Sequence, residues 1–185
     1  MSLIMKLLGL GKAKASVIVI GLQNSGKTSI VQCLHTDRDK DEDGVAPTVG
    51  FAVDRFAFSR AKLTVWDMSG ASNYHTLWEC YFKDVQGVIF VVDSADPASV
   101  EEASRVLSTT MSHEDLQGLP LLVMANKMDL AAAMSKADVG QRLQLDGLQG
   151  RTWQIAECSA KTGEGVEEAV KWILQQVKKI PKKRV

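Results

Sequence analysis

The sequence has no net charge, with 22 Lys and Arg against 22 Asp and Glu in 185 residues. That balance removes the electrostatic case for nucleic acid as a partner. Cysteine is scarce: Cys33, Cys80 and Cys158 are widely spaced. They offer neither a disulfide framework nor a zinc-ligand pattern, and their spacing fits a reducing compartment. No apolar run is long enough to cross a bilayer, and no signal peptide with a small-residue cleavage site opens the chain. Internal repeats and low-complexity linkers are also missing. What remains is the composition of an ordinary globular domain, long enough for one sizeable core.

Against this plain background one stretch stands out. Gly21-Leu22-Gln23-Asn24-Ser25-Gly26-Lys27-Thr28 has the spacing of a phosphate-binding P-loop. Gly21 and Gly26 permit turns that a Cβ resists. Such turns aim successive N–H groups of Gln23, Asn24, Ser25, Gly26, Lys27, Thr28 and Ser29 at phosphate oxygens. Lys27 can reach the terminal phosphates, and the Thr28 hydroxyl can take one position on Mg²⁺. The apolar run Val17–Ile20 before the loop reads as a buried parallel strand. Ser29–Leu34 after it reads as a helix whose N-terminus faces phosphate.

Further along, 35–46 reads as an exposed charged loop ending at Pro47-Thr48-Val49-Gly50-Phe51. Thr48 in that position can bind Mg²⁺ and, through its backbone, the γ-phosphate, so that the segment orders with the triphosphate. Ala52–Phe58 and Lys62–Trp66 read as a hairpin joined at Ser59-Arg60-Ala61, with one exposed edge. It leads into Asp67-Met68-Ser69-Gly70. An acid at the end of an apolar strand suits Mg²⁺ held through water, and Gly70 allows its N–H to come close to the γ-phosphate. Gly87–Asp93 and Pro120–Ala125 read as buried strands, with a helix at Ala98–Ser112 between them.

Asn126-Lys127-Met128-Asp129 follows the second of these strands. The Asp129 carboxylate can accept from guanine N1–H and its exocyclic amine. Adenine offers no donor there, and an unmet buried carboxylate is costly. Asn126 can tie this loop to the P-loop, and the Lys127 stem can lie over the purine. After a helix at Ala137–Leu145, the strand Thr152–Glu157 ends in Cys158-Ser159-Ala160-Lys161, where the Ala160 N–H can meet guanine O6. The closing helix Val166–Val177 carries the stripe Val166, Ala169, Val170, Ile173, Leu174, Val177. Strands alternating with helices imply a mostly parallel sheet covered on both faces, with ligands at the C-terminal strand ends.

These motifs, in this order, resemble the small GTPases of the Ras superfamily over nearly the whole chain. Pro47-Thr48-Val49-Gly50-Phe51, Trp66 before Asp67 and Leu77-Trp78-Glu79-Cys80-Tyr81-Phe82 resemble its Arf/Arf-like branch. Asp67-Met68-Ser69-Gly70 with Trp78-Glu79 is most similar to the ciliary, Bardet–Biedl-associated kind. The resemblance implies the small G-protein fold, an α/β P-loop NTPase with a mostly parallel six-stranded sheet and helices on both faces. It implies a single domain at 15–180, an amphipathic segment at 1–14 and a basic tail at 181–185. It implies a GTP/GDP switch with Mg²⁺, with Lys27, Thr48 and Gly70 serving hydrolysis. Partners would be an exchange factor, an activating protein and an effector, the last a coat or cargo complex reading Phe51, Trp66 and Tyr81. Those rings equally suit ordinary core aromatics. The expected location is cytoplasmic, on a membrane in the GTP state and at the ciliary base.

Leu3, Ile4, Leu7 and Leu8 share one helical face, which suits either reversible membrane contact or packing on the domain. Ser2 stands where N-myristoylation needs glycine. Lys178-Lys179-Ile180-Pro181-Lys182-Lys183-Arg184 reads as a solvated tail or, less simply, a contact with anionic lipid. Two departures from the family matter. Ala71 replaces the glutamine that orients the attacking water, which implies very slow hydrolysis. Gln23 replaces an aspartate in the P-loop. An ATPase or kinase is disfavoured by Asn126-Lys127-Met128-Asp129, and a binding module that uses nucleotide as a structural ligand remains open.

Overall fold

Alternation of apolar residues decides how this chain layers. In a strand, neighbouring side chains point to opposite faces. Val17 and Val19 enter one core with Ile30, Val65, Ile89 and Ile173, while Ile18 and Ile20 enter another with Phe90, Leu107 and Val123. The computed structural model describes residues 13–35 and 46–180. In order the main elements are β1 (Ala13–Ile20), α1 (Lys27–Cys33), β2 (Phe51–Phe58), β3 (Ala61–Met68), α2 (His75–Glu79), β4 (Gly87–Asp93), α3 (Pro97–Met111), β5 (Leu121–Asn126), α4 (Lys136–Arg142), β6 (Trp153–Glu157) and α5 (Val166–Lys179).

The strands form one six-stranded sheet in the order β2-β3-β1-β4-β5-β6. Every pairing is parallel except β2 with β3. The chain leaves β1 toward one side of the sheet and returns to β4 on the other. The C-terminal end of β1 is therefore the switch point, where open α/β sheets make a ligand crevice. All residues of β5 are buried, as the continuous apolar run requires of a strand covered on both faces. The α5 stripe is buried throughout, and each Val, Leu or Ile on it contributes about 1.5–3 kcal/mol. At the start of α3 the Asp96 carboxylate accepts from the Ala98 and Ser99 N–H groups, with Pro97 at the first helical position.

Several boundaries differ from the sequence expectation. Ala61 belongs to β3, because the hairpin turns within Ser59 and Arg60, both at positive φ (44° and 64°). That geometry normally selects Asn or Gly, so the residues gave no signal of it. The helix expected at 137–145 stops at Arg142, and a 3₁₀ turn Leu145–Gly147 follows Gln144 in the left-handed region. The short α2 and its flanking turns Ser72–Tyr74 and Phe82–Asp84 were not foreseen. They are too short for a 3.6-residue periodicity to register. The expectations for Leu3, Ile4, Leu7, Leu8, for 36–45 of the charged loop 35–46 and for the tail from 181 lie outside the described residues, while His35 is half-buried and Lys178 and Lys179 of the basic run end α5. No helix of the described residues is long and apolar enough to cross a membrane.

Candidate functional site

The loop between β1 and α1 owes its shape to glycine. Gly26, which caps α1 at φ +92°, has no room for a Cβ, because the Asn126 side-chain amide occupies that space. Asn24 also sits at positive φ, 62°. The folded loop brings Lys27 Nζ to the Leu22 carbonyl, to which it donates at 2.8 Å. Burial strips water from this ammonium and pulls its pKa down to about 8, with Asp67 opposing the shift.

Three segments distant in sequence meet beside Lys27. The Thr28 hydroxyl donates to Asp67 Oδ2 at 2.7 Å, and Thr48 Oγ1 lies 2.7 Å from Thr28 Oγ1. Asp67 is brought there by the register of β3 against β1, in which it sits beside Val19. Its Oδ1 is buried without a partner. Burial pushes the Asp67 carboxyl above the usual range, while Thr28 and Lys27 oppose this. Two hydroxyl oxygens and an orphaned carboxylate oxygen at one point are a hard-cation donor set, so these residues fit Mg²⁺. Gly70 presses on Lys27 Nζ and the Leu22 backbone so closely that a Cβ would overlap both. Trp78 holds this turn from below, donating from Nε1 to the Ser69 carbonyl at 3.0 Å.

Gln23, Asn24, Gly26, Lys27, Thr28, Ser29, Thr48, Gly70 and Lys127 line one cleft of about 550 Å³, together with Ala71 and Tyr74. Gly21 and Ser25 are buried next to these lining residues in the loop. The second half of the candidate site is a web of ties at the ends of β5 and β6. Asn126 Nδ2 donates to the Ser25 carbonyl at 2.8 Å, joining this loop to the P-loop. Asn126 Oδ1 accepts from the Ala160 N–H at 2.9 Å, so that N–H is engaged within the loop. Ser159 Oγ donates to Asp129 Oδ1 at 2.7 Å. This bond, with lesser help from Lys161 and Lys127, holds the Asp129 carboxyl below its ordinary value. Lys127, at φ +68°, pairs with Asp93 Oδ2 at 2.5 Å.

An α/β sheet with a phosphate cradle at its switch point and an Asn-Lys-x-Asp loop tied to it narrows the comparison, and sequence relatives decide it. The family described as "Arf: ADP-ribosylation factor family" matches residues 1–177. The chain belongs to the Arf family. It is 40% identical over 173 residues to ADP-ribosylation factor-like protein 6 of Danio rerio, covering 92% of each chain. The same-named protein of Caenorhabditis elegans is 37% identical over 180 residues, covering 96% of this chain and 94% of that one. Among solved structures, the "Arl6 BBS3 Small GTPase from Trypanosoma brucei with bound nucleotide analogue GppNp" superposes with a TM-score of 0.81 at 33% identity. The match covers 90% of this chain and 98% of that one. This is therefore a small GTPase of a family that binds GTP and GDP and hydrolyses GTP.

Two further features of this Arf-family chain bear on its site. Ala71 brings no polar side chain to the cleft, and its neighbour His75 is turned away. His75 Nε2 lies 3.1 Å from the Gly70 carbonyl, and its ring packs against Trp78 with centroids 4.3 Å apart and planes tilted by 39°. On the outer side, Phe51, Trp66 and Tyr81 form one ring cluster, with centroids 4.6–6.2 Å apart. Phe51 is exposed and the other two are half-buried. The roles of Trp78, Tyr74 and Asp93 escaped the sequence reading. Only Asp93 carried a signal, as an acid at the end of a buried strand.

Proposed function

We propose that this Arf-family chain is a guanine-nucleotide switch of membrane traffic, acting in the cytoplasm and at the base of the cilium. The observation that supports it most is the convergence of Lys27, Thr28, Thr48, Asp67 and Gly70 on a cleft tied through Asn126 to the base loop. In this reading Lys27 and the N–H groups of the P-loop, from Gly21 to Ser29, hold the phosphates. Thr28 and Thr48 hold Mg²⁺ directly, and Asp67 does so through water. A Mg²⁺ ion held there would offset the negative charge of the phosphates. The Gly70 N–H takes a γ-phosphate oxygen. Asn126, Lys127, Asp129, Ser159, Ala160 and Lys161 hold guanine. Ser159 fixes one oxygen of Asp129, and the Ala160 N–H must be shared between Asn126 and the base. The similarity to proteins named Arf-like 6, one of them titled BBS3, supports the ciliary setting.

Hydrolysis is slow, because Ala71 cannot orient water. Among the described residues, none that lines the cleft is an arginine; in this reading an activating protein supplies one. The GTP/GDP domain spans 15–180. Leu3, Ile4, Leu7 and Leu8 in the segment 1–14 give reversible membrane contact, with 181–185 as a basic tail. An effector such as a coat or cargo complex reads Phe51, Trp66 and Tyr81, while an exchange factor resets the switch.

The test is Asp129→Asn. GTP affinity should fall about a hundredfold and xanthosine triphosphate should gain, since the amide offers xanthine a donor where guanine needs an acceptor. An unchanged GTP affinity by titration would end the guanine assignment. Ala71 also favours a second reading, a nucleotide-stabilised module that recruits a coat or cargo adaptor with negligible hydrolysis. Single-turnover hydrolysis with and without cell extract separates the two, because only a switch is accelerated by the extract.

A further inference from the structure

Position 71 cannot position water, yet the cleft beside it is not empty of amides. Gly70 packs against the Leu22 backbone. The residues that follow each of these, Ala71 and Gln23, both line the cleft. The exposed Gln23 carboxamide has no side-chain hydrogen-bond partner among the described residues. It carries what alanine lacks, an acceptor oxygen and two donor hydrogens on one flexible stem. The other polar neighbours are worse placed. His75 is engaged with the Gly70 carbonyl and packed against Trp78. Ser72 and Asn73 do not line the cleft. Tyr74 competes, as a phenol held one turn beyond Ala71, whose carbonyl accepts its N–H at 2.9 Å, and so does Asn24, a shorter carboxamide that also lines the cleft.

We propose that Gln23 is the catalytic residue that orients the attacking water in this chain, a task moved from the residue after Asp-x-x-Gly to the P-loop. The inference rests on the guanine-nucleotide reading above. Its oxygen accepts one hydrogen of the water and its amide steadies a γ-phosphate oxygen. The water oxygen bonds to the γ-phosphorus as the bond to the β–γ bridging oxygen breaks. That electron pair leaves with GDP, and the water's proton passes to a γ-phosphate oxygen, giving dihydrogen phosphate. No oxidant or further reactant enters.

The experiment measures single-turnover GTP hydrolysis and release of a fluorescent GDP analogue, on the full chain with Mg²⁺. Gln23→Met keeps the length of the side chain and removes the amide. Hydrolysis should slow by at least about tenfold, with GDP release and melting temperature unmoved. Adding Ala71→Gln to that variant should return the rate to the parent's level or above. Gln23→Ala gives the same reading independently should the methionine pack badly. An unchanged rate in both Gln23 variants, or a loss confined to Tyr74→Phe, overturns the proposal. So does a slowing matched by an equal change in nucleotide release. If the parent chain binds no guanine nucleotide, the functional reading itself falls, and this one with it.

Discussion

The two ends of the candidate site are built differently. At the base end, four segments are laced together: Asn126 reaches Ser25, Ala160 reaches Asn126, Ser159 reaches Asp129 and Lys127 reaches Asp93. At the γ-phosphate end, Thr48 meets Thr28 through a single hydroxyl contact, Asp67 keeps an unpaired oxygen and Ala71 brings nothing polar. The proposed recognition end is thus held by cross-links between distant segments, whereas the proposed γ-phosphate end carries fewer of them. A switch needs this asymmetry. The grip on the nucleotide has to survive while the sensing end changes its state.

The largest expected effect lies in the P-loop, which the two ends flank. Lys27→Ala removes a buried charge aimed at the phosphates, and affinity for GDP and GTP alike should fall about a hundredfold or more by fluorescence titration. Retained affinity would mean that the cradle holds no phosphate. Next comes the lacing itself. Asn126→Ala leaves the Ser25 carbonyl and the Ala160 N–H without partners, at about 1–3 kcal/mol each. Nucleotide should bind about tenfold more weakly, and the ligand-free melting temperature should drop by about 2–4 °C per kcal/mol lost. A melting temperature that stays put would show that the base end is no more cross-linked than the other. The smallest effect sharpens the contrast. Gly70→Ala places a methyl against Lys27 and Leu22. GTP affinity should fall a few-fold further than GDP affinity, because the methyl strains the cradle used by both and also the turn where γ-phosphate would be sensed. Equal weakening of both nucleotides in isothermal titration would erase the distinction.

Most of the phosphate cradle and the base loop could be read from the residues, since each is a contiguous motif whose chemistry depends on local spacing. The turn at Gly21, Lys27 and Thr28 needed no long-range information to place, whereas the tie of the Ala160 N–H to Asn126 did. Trp78 beneath Ser69 and Tyr74 beside Ala71 could not be found that way. Both are carried by turns too short for any periodicity, and their partners are set by how α2 lies under β3. The Ser59-Arg60 turn was missed for another reason. Its positive φ values are imposed by the strands it joins and run against what those side chains prefer.

The residues by themselves determined the main strands and the long helices, the alternation that layers two cores on one sheet, and the order of the motifs. All of these follow from side-chain period and local hydrogen-bonding capacity. Tertiary structure alone decided the meetings: Thr28 with Thr48 and Asp67, Asn126 with Ser25, and Gly70 with Leu22. Such contacts depend on strand order and register. Those are set by the packing of the whole sheet, and no short stretch of residues encodes them.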